Sequence, residues 1–307
     1  MALKPLTVLA LFALVVLLAL QPAQGHVGDR VYPIYQLTDE MVERIDVMDG
    51  SVDEWFELEP SLTLVDFGLI REVSDITERD PADLDFRIWL GWVPSPSRIH
   101  VAAIVADDIY YNDYDPEDPD GGTMSSSDSI TLRFDADHSG GPWSWIPDPG
   151  ADAEKVLEAS NAQWYDALSE APGNVTLGIR RIDGRGWPVS PPFGDGGGSV
   201  RGENPVFWVV EFYVTPFAHF DYEDQQASDT YELVPGAVVG FHLTVIDQDA
   251  GGWEGDAHYA LPFDAPDSII ESLWNADIFV DGLLLGIQDG SVVRADSWAR
   301  IKASLAE

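Results

Sequence analysis

The chain has 307 residues, with 54 Asp and Glu against 16 Lys and Arg, no Cys, and 11 Trp, 27 Gly and 21 Pro. A formal net charge of −38 excludes nucleic acid and anionic membrane surfaces as partners, because both repel such a surface. The lack of Cys excludes a disulfide scaffold, Cys-ligated zinc, iron–sulfur centres and a Cys nucleophile.

Residues 1–25 read as a secretory signal peptide. Lys4 precedes an apolar run from Leu6 to Leu20, and Ala23 and Gly25 suit the small positions of a cleavage site. Cleavage there makes His26 the mature N-terminus and leaves no membrane span. The expected location is secreted, extracellular or periplasmic. Residues 26–45 form a lead-in, in which Thr38-Asp39-Glu40 can cap a short helix, Met41 to Ile45.

From residue 86 onward the pattern is strands. Phe86, Ile88, Leu90 and Trp92 alternate, Pro94-Ser95-Pro96-Ser97 turns, and Ile99, Val101, Ala103 and Val105 alternate again, which predicts a hairpin. Ile130, Leu132 and Phe134 mark a further strand, and others are predicted at 175–182, 206–214, 237–247 and 257–261. Apolar residues fill both parities of 206–214, as in a strand covered on both faces. A helix is predicted over 153–168 from Ala153, Val156, Leu157, Ser160, Trp164 and Leu168, and a capping box at Ser268 and Glu271 opens another. Segments 107–128 and 183–205 read as long loops. The expected fold is all-β: an immunoglobulin- or jelly-roll-like antiparallel β-sandwich with a few short helical insertions. No linker forces a boundary, so 46–307 reads as a single enlarged domain with a C-terminal extension.

Two strand ends carry similar acidic turns. Asp135-Ala136-Asp137-His138-Ser139-Gly140-Gly141-Pro142-Trp143 follows one strand, and Asp247-Gln248-Asp249-Ala250-Gly251-Gly252-Trp253 follows another. Asp-x-Asp in a Gly turn converges carboxylates and carbonyls, as a hard cation such as Ca²⁺ requires. Asp135, Asp137, Ser139, Asp247 and Asp249 are therefore the candidate ligands. An EF-hand is excluded, because its twelfth position would be Ile146. The plainer reading is an Asx turn at each strand end. The acids Asp113, Asp115, Glu117, Asp118 and Asp120 read as a solvated loop. Trp143, Trp145, Trp187 and Trp253 lie in polar loops, where an indole can stack on the C–H face of a sugar or fold back over the core. Trp89, Trp92, Trp208 and Trp298 read as core.

Four segments occur in order: Asp49-Gly50-Ser51-Val52-Asp53-Glu54-Trp55; Val105-Ala106-Asp107-Asp108; Asp128-Ser129-Ile130-Thr131-Leu132-Arg133-Phe134-Asp135; and Val238 through Asp247. The set, covering residues 46–262, resembles family 9 carbohydrate-binding modules and related DOMON-like sandwiches. The end of the chain, Phe279 to Leu284 and Asp296 to Lys302, resembles an extension of exported bacterial relatives. The resemblance implies a jelly-roll-like sandwich, a structural Ca²⁺ and a sugar held between aromatic rings. The insertions at 107–128 and 140–174 depart from the family pattern.

The expected function is a non-catalytic, Ca²⁺-stabilised protein that binds extracellular polysaccharide or another glycan through loop tryptophans. The alternative is a surface-layer, matrix or filament subunit that self-associates, with the lead-in adding a strand to a neighbour. No paired Glu, Gly-x-Ser-x-Gly elbow or other catalytic centre is evident. Two redox readings, copper on His26 and haem b in the DOMON manner, lack a pairing motif.

Overall fold

The computed structural model describes residues 31–57, 71–72, 83–115, 124–138, 162–170, 177–179, 186–221, 224–249, 256–260 and 279–287. The strands are β1 (Val31–Gln36), β2 (Arg71–Glu72), β3 (Leu84–Pro94), β4 (Ser97–Asp107), β5 (Ser129–Asp135), β6 (Gln163–Leu168) and β7 (Leu177–Ile179). They continue as β8 (Gly194–Gly202), β9 (Val206–Val214), β10 (Phe217–His219), β11 (Asp229–Thr230), β12 (Val238–Gln248), β13 (Asp256–Ala260) and β14 (Val280–Leu285). Helices α1 (Asp39–Arg44) and α2 (Asp53–Glu57) are short. Among the described residues no helix is long and apolar enough to cross a membrane.

One sheet runs in the order β7-β6-β5-β12-β14-β1-β3-β4-β9-β8, with β13 and β2 branching from β12 and the pair β10–β11 separate. Its two ends, β7 and β8, come back against each other, so the sheet wraps into a flattened, nearly closed barrel. The expected all-β class is what forms. Pairing is antiparallel except at β1, which runs parallel to both β14 and β3 and so joins the two facing halves. The lead-in is therefore built into the sheet through β1, and residues 280–285 of the C-terminal extension supply β14.

Period-two alternation explains the interior. Ile88, Leu90, Trp92, Ile99, Val101, Ala103, Val105, Ile130, Leu132, Phe134, Trp208, Val210, Phe212, Phe241, Leu243 and Val245 share one buried cluster between the halves. The hairpin turns where predicted, with Pro94 opposite Ser97. The outer face of β3, β4 and β9 is covered as well. There Leu37, Val52, Trp55, Trp89, Val93, Ala102 and Val209 form a second cluster beneath the segment that follows β1. Thr38 caps α1, its Oγ1 accepting from the Met41 amide at 3.1 Å, as the sequence predicts. Trp89, Trp92 and Trp208 are buried as expected; Trp298 lies outside the described residues.

Two expectations are corrected. Residues 163–168 form strand β6, not a helix, and all six are buried. The helical pattern arose because both strand faces are covered: Tyr165 and Ala167 join the interior, while Trp164 lies under the Arg133 guanidinium, 3.5 Å away. Residues 153–161 and the capping box at Ser268 lie outside the described residues. The segment 183–205 is only partly a loop, since it contains β8. Its glycines admit another piece of chain: a Cβ at Gly197 would sit 2.5 Å from the Val47 carbonyl oxygen. Backbone can approach that closely only where no side chain stands.

His100, on the outer face of β4, is 3% exposed, and neither ring nitrogen has a hydrogen-bond partner among the described residues. Burial, reinforced by the positive charge of Arg98, holds its pKa down at about 3. The unfolded chain therefore takes up this proton near pH 6.5 and the folded chain only near 3, so His100 removes stability as pH falls through that window. Replacing it with Leu is expected to flatten the acid limb of the stability curve between about pH 6 and pH 4. Urea denaturation at stepped pH measures this; an unchanged acid limb would contradict it.

Candidate functional site

Three buried carboxylates meet at one pole of the barrel. Asp107 ends β4, Asp128 immediately precedes β5 and Asp247 lies next to the end of β12. One carboxylate oxygen from each lies within 4.8 Å of the others. The antiparallel registers bring them together: β5 starts where β12 ends, Ser129 opposite Ile246, while β4 ends where β9 begins, Asp107 opposite Val206. Asp107 belongs to one half of the barrel and the other two to the facing half. Beside them lies a more open trio, Asp83, Asp108 and Asp249, spaced within the same limit.

Each buried carboxylate is aimed by specific donors. Asp107 accepts from the Ile109 amide at 2.9 Å and from Trp208 Nε1 at 3.0 Å. Asp128 accepts from the Gln248 amide at 2.7 Å and the Tyr111 amide at 2.6 Å. This second bond also closes the base of the 107–128 loop, together with Asp128 N–H to the Tyr111 carbonyl at 2.9 Å. No described donor reaches Asp247.

The electrostatics of this pole are strained without a counter-charge. At the 4.8 Å limit of the cluster each carboxylate pair repels by ~3 kcal/mol at an effective dielectric of about 20. Burial pushes Asp107 up to about 6. It pushes Asp128 up to about 9, with further contributions from the charges of Asp107 and Asp247. Asp247 rises to about 8 through burial and then the charges of Asp107, Asp83, Asp249 and Asp108. Asp249 is also raised, by burial and by Asp108. Such a set either holds protons or holds a cation. The donor chemistry, oxygen only and acidic, is that of a hard divalent ion.

The sequence-derived residues divide among several places. Asp247 and Asp249 lie at this pole, in the buried and open trios respectively. Asp135 and Asp137 do not join them. Asp135 pairs with Gly240, at the opposite end of β12, about 24 Å away at about 3.4 Å per residue. Asp135 also points to the outer face with Thr131 and Arg133, whereas Asp247 shares the inner phase of Leu243 and Val245. The backbone of His138, next to Asp137, has a φ of 52°, and its Nε2 meets the Asp281 carboxylate at 3.0 Å. Asp113 and Asp115 are exposed, as a solvated loop requires. Ser139, Trp143, Trp145 and Trp253 lie outside the described residues.

Trp187 occupies a 3-10 turn, Trp187–Val189, and is half-buried. Its ring centroid is 4.9 Å from Phe193 and 5.4 Å from Phe217, both edge-on, and 5.6 Å from Phe220. It packs over the end of the core at the pole opposite the acids, because β8 starts there opposite Val214.

Asp107, Asp128, Asp83 and Asp108 were not among the ligands expected from the sequence. A signal was nonetheless present. Val101, Ala103, Val105 and Asp107 keep one parity, as do Leu243, Val245 and Asp247. An acid that continues the inward phase of an apolar strand is directed into the barrel mouth.

No family model matches the chain, and no curated protein matches it. Among solved structures, the chain is similar to a family 9 carbohydrate-binding module from Caldicellulosiruptor kristjanssonii in complex with glucose, at 15% identity, 85% coverage of this chain, 100% of that chain and a TM-score of 0.46. It is similar likewise to a family 9 carbohydrate-binding module from the same organism in complex with cellotriose, at 15% identity, 86% coverage of this chain, 98% of that chain and a TM-score of 0.49.

Proposed function

We propose that this is an exported, non-catalytic carbohydrate-binding protein whose barrel is clamped by Ca²⁺ at the Asp107–Asp128–Asp247 pole. One observation carries the reading. Three of the four sequence segments that resemble family 9 carbohydrate-binding modules each contribute one acid, and those acids converge within 4.8 Å. Segments far apart in sequence would not deliver buried like charges to one point unless something offsets them. The open trio Asp83, Asp108 and Asp249 would supply further oxygens or a neighbouring ion.

The sugar contact is assigned to Trp143, Trp145 and Trp253. Trp253 follows the acidic pole directly in sequence. Trp187 is the weakest of the four loop tryptophans for this role, since its surroundings are three phenylalanine rings. The export reading rests on residues 1–25. Assembly through the lead-in has less support, because residues 31–35 already pair with β14, and Tyr35 and Gln36 with β3, within the chain's own sheet.

Affinity electrophoresis through gels containing soluble β-glucan, xylan or mannan tests the sugar reading. The expected result is retardation by at least one glycan and its loss in the double variant Trp143→Ala/Trp145→Ala. Unchanged mobility on every glycan, or full retardation of the double variant, would count against it.

A further inference from the structure

A second cluster of acids lies away from that pole, on the outer face of the barrel. Glu211 sits in the middle of β9, on the outward phase with Val209 and Tyr213. It is 0% exposed because the segment following β1 lies over it. Trp55, also 0% exposed, donates its Nε1–H to Glu211 Oε1. Glu211 Oε2 has no hydrogen-bond partner among the described residues. Carboxylate oxygens of Asp49, Glu54 and Glu211 lie within 4.8 Å of one another, and the charge of Asp46 is felt there too. Among the described residues no Lys or Arg pairs with any of these three.

The covering loop is already fastened. The Gly50 carbonyl accepts from Ser199 Oγ at 2.6 Å and from Arg201 at 3.2 Å. The Asp49 carboxylate accepts from the Ser51 amide at 2.7 Å, and Glu54 Oε1 from the Asp46 amide at 3.3 Å. These bonds hold the loop in a shape that keeps Asp49 and Glu54 together over the buried, half-satisfied carboxylate of Glu211. A buried carboxylate oxygen without a donor is costly, and a hydrophobic contact cannot satisfy it. A hard cation can, and the exposed side of Asp49 leaves room for water to complete its shell.

We propose that Asp49, Glu54 and Glu211 form a second divalent-cation site, of Ca²⁺ type, which pins the segment 46–57 to β9. It is independent of the sugar reading and of the site at the barrel pole. The ion would neutralise Glu211 in place and tie together groups that come from distant parts of the chain.

The test compares wild type, Glu211→Gln, Asp49→Asn and Asp128→Asn, each stripped with chelator and then titrated with Ca²⁺ alone. Bound ions are counted by calorimetry and elemental analysis. Glu211→Gln and Asp49→Asn are expected each to lose one ion equivalent that Asp128→Asn retains. Melting gives a second reading. In chelator, Glu211→Gln melts at or above wild type, because a buried charge has been removed; in saturating Ca²⁺ it melts below. Equal ion counts in wild type, Glu211→Gln and Asp49→Asn would overturn the proposal. So would a Glu211→Gln melting difference that is the same with Ca²⁺ and with chelator. Asp49 is exposed, so its variant reports on the ion even if Glu211→Gln folds poorly. A loss of binding confined to Asp128→Asn would leave the pole site standing and this one refuted.

Discussion

Ca²⁺ added to the chelator-treated protein is expected to raise the thermal midpoint by roughly 5 to 10 °C, and the rise should grow from pH 6 to pH 9. The size follows from linkage: a ligand at a hundred times its Kd stabilises by about 2.7 kcal/mol, and each kcal/mol moves the midpoint of a domain this large by roughly 2 to 4 °C. The pH dependence follows from the direction of the shifts. Asp128 and Asp247 are pushed up to about 9 and about 8, far above the unfolded value. The folded state therefore binds more protons between about pH 4 and pH 9, so without a cation these groups make folding less favourable as pH rises through that window. A cation needs the deprotonated carboxylates and reverses the penalty where it is largest. Differential scanning calorimetry in chelator and in Ca²⁺ at stepped pH measures both effects. Asp128→Asn should abolish the pole site's share of the Ca²⁺-dependent gain and its growth with pH. A midpoint indifferent to Ca²⁺ at every pH would remove the cation from the account.

Trp208→Ala is expected to lose about 3 to 5 kcal/mol of stability, the range for emptying a fully buried Trp site. Trp208 is 0% exposed in the interior cluster, and its Nε1 is also a donor to Asp107 at 3.0 Å. The variant would leave a cavity under the acidic pole and a buried carboxylate missing one of its two donors. Trp208→Phe separates these effects. It keeps most of the apolar contact and loses the donor, so a smaller loss of about 1 to 3 kcal/mol is expected. That loss should shrink in Ca²⁺, which on the proposed reading would supply Asp107 with a positive partner. Urea denaturation of both variants, with and without Ca²⁺, reads the difference. A Trp208→Phe protein as stable as wild type in chelator would show that the indole N–H contributes nothing to holding Asp107.

The barrel was legible where one strand face is buried. Period-two alternation located β3, β4 and β5, and doubly apolar 206–214 gave the covered strand β9. It was misleading for β6, because a strand buried on both faces has no alternation and Ala153 to Leu168 happens to satisfy a helical wheel. Strand β8 was hidden by its glycines, which depress strand propensity and of which Gly197 admits the backbone of residues 47–48. The acidic pole was half legible. Asp247 and Asp249 were found from a local Asp-x-Asp pattern, but the equivalent pattern at Asp135 led to the other end of the barrel. Local spacing cannot say which end of a sheet a turn occupies; antiparallel register decides that. Asp107 and Asp128 needed the third dimension, since they meet Asp247 only through the pairing of β5 with β12 and the facing of the two halves.

Strand β1 has a consequence for the order in which this chain can fold. It runs parallel between β3 and β14, pairing Val31 with Asp281 near the two extremes of the described chain. The hairpins β3–β4 and β8–β9 join nearby residues and can form early, whereas the pairing of β1 with β14 joins the two most distant parts of the described chain and closes late. Closure of the barrel is thus a late, high-contact-order event. The segment that follows β1 carries Trp55 and covers Glu211, so the outer layer depends on where β1 docks. Until then the half-built sheet presents open edges on β12 and β3, the surfaces on which a nascent chain of this topology would be captured by a chaperone or by another copy of itself.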